Sequence, residues 1–318
     1  MASTTEQSSE PERWDGGIVV IGCRFNTLEF IERARHDKIN ISGIVTIDRE
    51  LAERNSVPAW ADLSAAVGDA VPVYVASSYS LASPADKIAL SAHNPAVGIC
   101  VGWQRLLPTW YLNTFKTGVF GMHACQHPLP QGRGRSPINW SVIEGARSLH
   151  AHVFRYEEEA DSGSMLDVTE FQIEAHDDIH TLQQKCRVVF NEVIRKHHKE
   201  LVKGNVNLFQ SNPDVPDRVY EKRSPEDGKL DWNWTVRRIV DFVRAQTKPY
   251  PGAYIIRDNK EFRIWRSTPF RVLNDETVDP GTIVECFADG SLVVAAGDGY
   301  VHVRAHELPQ NLTYGDRL

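Results

Sequence analysis

The stretch GMHACQHPLPQGRGRSPINW, residues 121–140, decides how the rest of the chain reads. It completes an apolar run that begins at Val119-Phe120, and His123 stands at the tip of that run. A proline- and glycine-rich loop follows, carrying Arg133 and Arg135. Ser136 is placed to cap a helix that opens at Pro137, where a first-turn proline costs no hydrogen bond. Downstream, HAHVFRYE (150–157) alternates as a strand and 166–173 continues it, with Asp161-Ser162-Gly163 in the turn between. A histidine and a carboxylate, remote in sequence, thus come to the rim of one sheet. An imidazole that shuttles a proton and an acid that orients it suit a transferase or hydrolase acting on a carbonyl.

Outward from that stretch the chain alternates strands and helices. GIVVIGC (17–23) is continuously apolar and reads as a buried parallel strand, with further strands at 41–47, 71–76 and 97–101. Asn26-Thr27 would cap the first intervening helix. The pattern predicts a doubly wound α/β sheet, which binds ligands outside the carboxyl ends of its strands. Gly102-Trp103-Gln104 and Gly121-Met122-His123 both fall at such ends. Gly22-Cys23-Arg24 opens like a dinucleotide loop, but no G-x-G-x-x-G follows, so a nicotinamide cofactor is discarded. Asp177-Asp178 begins a long helix whose stripe (Ile179, Leu182, Cys186, Val189, Phe190, Val193) is core packing, and Gly204 ends it.

The texture changes after 204. Residues 205–223, rich in Asn, Pro and Asp, read as a linker. A helix at 236–245 and short strands at 253–256, 262–265, 281–287, 291–295 and 300–304, separated by Asp-Asn, Asp-Gly and Gly-Asp turns, read as a small β-rich domain over 224–318. The formal charge of −7 and pI near 6.0 oppose nonspecific binding to nucleic acid or an anionic membrane. Residues 1–16 are polar and acidic, read as a disordered tail and carry no targeting signal, and no apolar run reaches a membrane span. The five cysteines contain no C-x-x-C pair, which suits a reducing cytoplasm. His123, Cys125 and His127 lack zinc spacing, and no metal is expected.

These motifs, in this order, resemble the formyltransferase family that uses 10-formyltetrahydrofolate. Its N-x-H-P-S-L-L-P loop, R-G, P-hydrophobic-N/Q-W and D-x-G elements correspond to His123, Pro128-Leu129-Pro130, Arg133-Gly134-Arg135, Pro137-Ile138-Asn139-Trp140 and Asp161-Ser162-Gly163. VGWQRLLP (101–108) is similar to its folate-pocket loop, and SPEDGKLDWNW with RAQTKPYPGAY (224–234, 244–254) to the start of its C-terminal domain. The resemblance runs from about residue 17 to at least 255. It implies a Rossmann-like formyltransferase domain over 17–204, holding folate and the catalytic residues, and an OB-like β domain. It also implies catalysis by His123 and Asp161 and folate contacts from Gly102, Trp103, Gln104, Arg105, Leu106, Leu107 and Glu158; Arg133 and Arg135, on a glycine-flexed loop, suit a phosphate or carboxylate of the substrate by forked hydrogen bonding. Two departures stand out. Gly121 replaces the family's asparagine, implied to hydrogen-bond the formyl oxygen, and the loop after His123 is two residues longer, making His127 a rival. His123 is preferred because it ends the strand directly.

The resemblance leaves the acceptor to be argued. Residues 205–318 hold 15 Lys/Arg against 17 Asp/Glu, a net of −2 that opposes tRNA. The expected acceptor is an amino sugar on a nucleotide, in cell-envelope polysaccharide synthesis, with a homodimer left open. The alternatives are a small amine of secondary metabolism, methionyl-tRNA, or a folate-binding protein without turnover.

Overall fold

The computed structural model describes residues 14–210, 214–271 and 278–318. Most of the tail expected over 1–16 lies outside them. Trp14, at its end, is buried and stacks on His93 with ring centroids 4.3 Å apart.

The chain opens with β1 (Ile18–Ile21), α1 (Phe25–His36), β2 (Ile41–Thr46), α2 (Arg49–Arg54), α3 (Leu63–Val67), β3 (Val73–Val75), α4 (Pro84–Ser91), β4 (Val97–Cys100), α5 (Thr109–Leu112) and β5 (Gly118–Cys125). Next come β6 (Gln131–Gly134), α6 (Pro137–Ile143), β7 (Ser148–Arg155), β8 (Met165–Gln172), α7 (Ile179–Lys203) and β9 (Arg218–Tyr220). The last part holds α8 (Val236–Ala245), β10 (Ala253–Arg257), β11 (Lys260–Phe270), β12 (Ile283–Cys286), β13 (Leu292–Ala296) and β14 (Gly299–His306). Two compact units emerge. One comprises the chain up to His123, His152–Val168 and Val189–Ser211; the other comprises Ala124–Ala151, Thr169–Val188 and Asn212–Leu318.

The main sheet runs β3-β2-β1-β4-β5-β7-β8, with β1 to β5 paired in parallel. β1 and β4 are buried along their whole length, which is why their sequences are uninterrupted apolar runs. In the first unit one face packs Val20, Phe30, Ile44, Ile99 and Phe120 with Phe190, Val193 and Ile194 of α7. The other packs Val19, Ile21, Cys100, Trp103, Leu107, Tyr111 and Val119. The expected doubly wound arrangement is therefore present.

In the second unit α8 packs on an antiparallel sheet of order β10-β11-β14-β13-β12. Its β10–β11 turn uses Asp258 and Asn259, both at positive φ, the conformation a tight two-residue hairpin needs. Leu230, Ile239, Phe242, Ile264, Val294, Val301 and Val303 form its core. The helix expected at 236–245 is there residue for residue. Part of the 205–223 stretch is ordered backbone, for β9 pairs in parallel with β6.

Three local expectations need correction. α1 is capped at Arg24; Thr27 contributes from the third helical position, its Oγ1 accepting the Arg24 N–H at 3.2 Å. Ser136 precedes α6 but sits at φ 53° and makes no side-chain cap bond. Residues 131–134, expected as open loop, form β6.

Candidate active site

His123 is fixed by β5. Residues alternate faces along a strand, so Val119, Gly121 and His123 share the face that carries Trp103 and Cys100. The His123 side chain is 7% exposed, and its carbonyl lies 3.2 Å from Nδ1 of the fully buried His152 on β7. Asp161 reaches the same place from the turn after β7. That turn is built tightly: Arg155 N–H donates to Ser164 O at 2.9 Å, and Ser162 Oγ donates to Glu159 O at 2.8 Å. A Cβ on Gly163 would lie 1.7 Å from Arg155 O, so only glycine passes there. Asp161 itself sits at φ 56°, a left-handed conformation held by the turn around it. Nδ1 of His123 and Oδ1 of Asp161 are 3.5 Å apart, the carboxylate 20% exposed. A buried imidazole and a partly solvated carboxylate so arranged can relay and orient a proton.

The loop leaving β4 lies at the end of the neighbouring strand. Trp103 is buried, edge-on to Tyr79 with centroids 4.8 Å apart, and its Nε1 has no hydrogen-bond partner among the described residues. Gln104 N–H donates to the Tyr79 hydroxyl at 2.9 Å, and the Arg105 guanidinium lies 5.2 Å over the Tyr79 ring. Leu106 is 67% exposed, while Leu107 is buried. The backbone N–H and C=O groups of Arg105, Leu106 and Leu107 make no hydrogen bond among the described residues. An apolar side chain held out to solvent beside unpaired backbone groups is a surface suited to a flat, polar-edged ligand. Glu158 is exposed in the turn that carries Asp161.

Arg133 and Arg135 belong to the second unit. Arg133 Nη1 pairs with Asp217 at 2.8 Å, and Arg135 N–H donates to Tyr220 O at 3.0 Å. The Asp217 partner had no sequence signal, being 84 residues away. Asn139 of the P-I-N-W motif donates to Ala245 O at 2.7 Å, and Trp140 stacks on Tyr220 with centroids 5.8 Å apart. Both residues are therefore committed to holding α6. Cys125 is buried, its Sγ 3.0 Å from His127 O and 3.3 Å from Gln131 O, whereas His127 is exposed. Among the described residues no group of three or more His, Cys, Asp or Glu could hold a metal. Tyr79 and Tyr156, which hydrogen-bond the loop leaving β4 and the strand β5, escaped the sequence reading. Each follows a strand end, where an aromatic ordinarily means core.

A sheet-end imidazole–carboxylate pair on a doubly wound α/β unit, in a chain that also carries an antiparallel β sheet, is an arrangement suited to group transfer. Residues 17–216 match the family described as formyl transferase, and residues 222–314 match the formyl transferase C-terminal domain. The chain belongs to the formyl transferase family. A curated relative, the bifunctional polymyxin resistance protein ArnA of Wigglesworthia glossinidia brevipalpis, is 30% identical over 195 residues, 61% of this chain and 29% of that protein. Among solved structures, HypX from Aquifex aeolicus in complex with tetrahydrofolic acid matches with TM-score 0.63 and 15% identity, over 90% of this chain and 43% of that one. The chain thus spans under half the length of both these relatives. The N-formyltransferase from Helicobacter canadensis, in complex with folinic acid and dTDP-3-aminofucose, matches with TM-score 0.65 and 14% identity, over 90% of this chain and 98% of that one. At such identities the structural likeness speaks for the fold. No helix among the described residues is long and apolar enough to cross a membrane.

Proposed function

We propose that this enzyme moves the formyl group of 10-formyltetrahydrofolate to the amine of a nucleotide-linked amino sugar, serving cell-envelope polysaccharide synthesis. The observation that carries the reading is the His123–Asp161 pair, 3.5 Å apart at the sheet's end in a chain of this family. Bound folate supplies the activated formyl carbonyl. The 102–107 loop fits it: Leu106 offers an apolar wall, the unpaired backbone at 105–107 matches the edge of a pterin, and buried Trp103 packs on Tyr79. Glu158 would lie at the pocket's rim.

The residues then divide the proton work. The amine lone pair forms the new C–N bond, the bond to the folate nitrogen breaks, and one proton passes from the amine to that nitrogen. His123 relays that proton. Asp161 fixes the imidazole's orientation and its useful tautomer. Arg133 and Arg135 are assigned to the acceptor's phosphates, Arg133 exchanging its Asp217 pairing for a phosphate by forked hydrogen bonding.

The choice of acceptor is supported by two things. The Helicobacter relative is described with a dTDP-linked amino sugar, and residues 205–318 are net acidic, which opposes tRNA. The test is formyl gain by mass spectrometry, with 10-formyltetrahydrofolate and a panel of nucleotide-linked 3- and 4-amino sugars, methionyl-tRNA in parallel. Sugar formylation is expected, reduced about 10²- to 10⁴-fold by His123→Ala or Asp161→Ala. Transfer to tRNA alone would overturn the acceptor. Folate binding with no transfer to any amine would overturn the activity itself.

A further inference from the structure

Gly121 leaves a hole in the sheet's functional face, and one side chain fills it. A Cβ built on Gly121 would lie 2.1 Å from the Tyr156 hydroxyl oxygen, 2.3 Å from Cζ and 2.4 Å from Cε1. The phenol end therefore occupies the volume through which a side chain at 121 would project. That volume is on the His123 face of β5, two residues before His123, a spacing of roughly 7 Å along a strand. Tyr156 is held there firmly. It follows β7 directly, its N–H donates to Val119 O at 2.7 Å, and its ring packs on Phe154 with centroids 5.4 Å apart. Cys100 and Asp161 both act electrostatically on its hydroxyl. Burial first, then Cys100 and Asp161, push the phenol well above its ordinary pKa. It therefore keeps its proton at any working pH and remains a donor.

A formyl carbonyl under attack by an amine turns tetrahedral, and the carbonyl π pair moves onto oxygen until the leaving bond breaks. A preorganised donor aimed at that oxygen accelerates the step more than it tightens ground-state binding. We propose that Tyr156 is that donor: from the place that Gly121 leaves for it, its hydroxyl hydrogen-bonds the formyl oxygen of the folate co-substrate beside His123. The inference rests on the formyl-transfer reading given above. Gly121 and Tyr156 thus work as a pair, a small residue on one strand admitting a donor from the next.

The test uses Tyr156→Phe, which removes one oxygen and keeps the ring. Turnover with the formylated acceptor as readout should fall about 10²- to 10³-fold in kcat, with KM for both substrates changed less than about threefold. Independently of turnover, infrared difference spectra of bound 10-formyltetrahydrofolate, labelled ¹³C at the formyl carbon and without acceptor, should show the carbonyl stretch at lower frequency in the wild type than in Tyr156→Phe. Site-specific 3-fluorotyrosine at 156 preserves shape and strengthens the donor. It should lower the stretch further, so the inference stays testable even where the phenylalanine variant folds poorly. A wild-type enzyme that transfers formyl, with Tyr156→Phe equal to it in kcat and carbonyl frequency, would overturn the role of Tyr156 alone. A wild-type chain that binds folate and formylates no amine would instead overturn the function on which the role depends.

Discussion

Thr27 has no solvent exposure, and its hydroxyl is committed twice. Oγ1 donates to Val101 O at 2.6 Å and accepts the Arg24 N–H at 3.2 Å, tying the start of α1 to the end of β4. Val101 begins the loop proposed for folate, so a hydroxyl that looks like a capping detail also anchors the start of that loop. Thr27→Val keeps the shape and removes both bonds. Leaving buried groups unpaired costs about 1–3 kcal/mol. The expected result is a lower urea midpoint with an unchanged slope. Folate binding should weaken more than that loss of stability explains, as titration at a temperature where both proteins are folded would reveal. Equal stability of the two proteins would show that the bonds contribute nothing net.

At the scale of elements, β6 and β9 form a small parallel ladder that fixes the segment bearing Arg133 and Arg135. Gly134 makes it feasible. It sits at φ 101°, and a Cβ there would lie 2.3 Å from Tyr220 O and 2.9 Å from Val219 Cγ1. Gly134→Ala is therefore strained twice, by conformation and by collision with backbone, and strain of this kind costs on the order of 1–3 kcal/mol. Hydrogen exchange should quicken at 131–134 and 218–220 while the β10–β14 sheet keeps its protection. Uniform quickening across the second unit would instead make the ladder part of its core.

The same two strands mark the limit of what the sequence disclosed. β1 and β4 announced themselves because burial on both faces demands unbroken apolar runs. α8 was read at the bounds the structure gives it. β6 was invisible, since Gln131, Gly132, Arg133 and Gly134 carry no apolar alternation and their hydrogen-bond partners come from a distant segment. The site divides along the same line. That His123 and Asp161 come together was readable from motif order, whereas the placement of Tyr156 against Gly121 was not, because it depends on space that no local pattern encodes. A glycine where the family carries an asparagine was the one available signal, and it pointed to a gap without naming what fills it.

At the scale of the whole molecule, two buried carboxylates, one in each compact unit, set the response to acid. Asp86 is fully buried, and desolvation alone would push its pKa up. Hydrogen bonds from Ser77 N–H and Oγ at 2.8 and 2.9 Å, from Tyr74 at 3.0 Å and from Ser78 N–H and Oγ, both at 3.0 Å, together outweigh that and hold it below the ordinary range. Asp177, 1% exposed, is likewise opposed by burial but held down by Lys185 at 2.5 Å and by the Glu174 N–H at 2.8 Å. For a depressed carboxylate the sign is fixed. Its contribution is complete above the unfolded value of about 3.9 and disappears as pH falls through the lower folded value. Stability should therefore be insensitive to these groups between neutrality and pH 5, then drop steeply below pH 4. Asp86→Asn isolates the effect, because an amide accepts through one oxygen only and turns a second donor toward hydroxyls and N–H groups. Urea denaturation at pH 7 should show it less stable by about 1–3 kcal/mol. Between pH 5 and pH 3 it should lose less stability than the wild type, so that the two curves converge. Parallel decline of both proteins over that interval would mean that Asp86 titrates alike in the folded and unfolded chains and that its serine cradle confers no acid sensitivity.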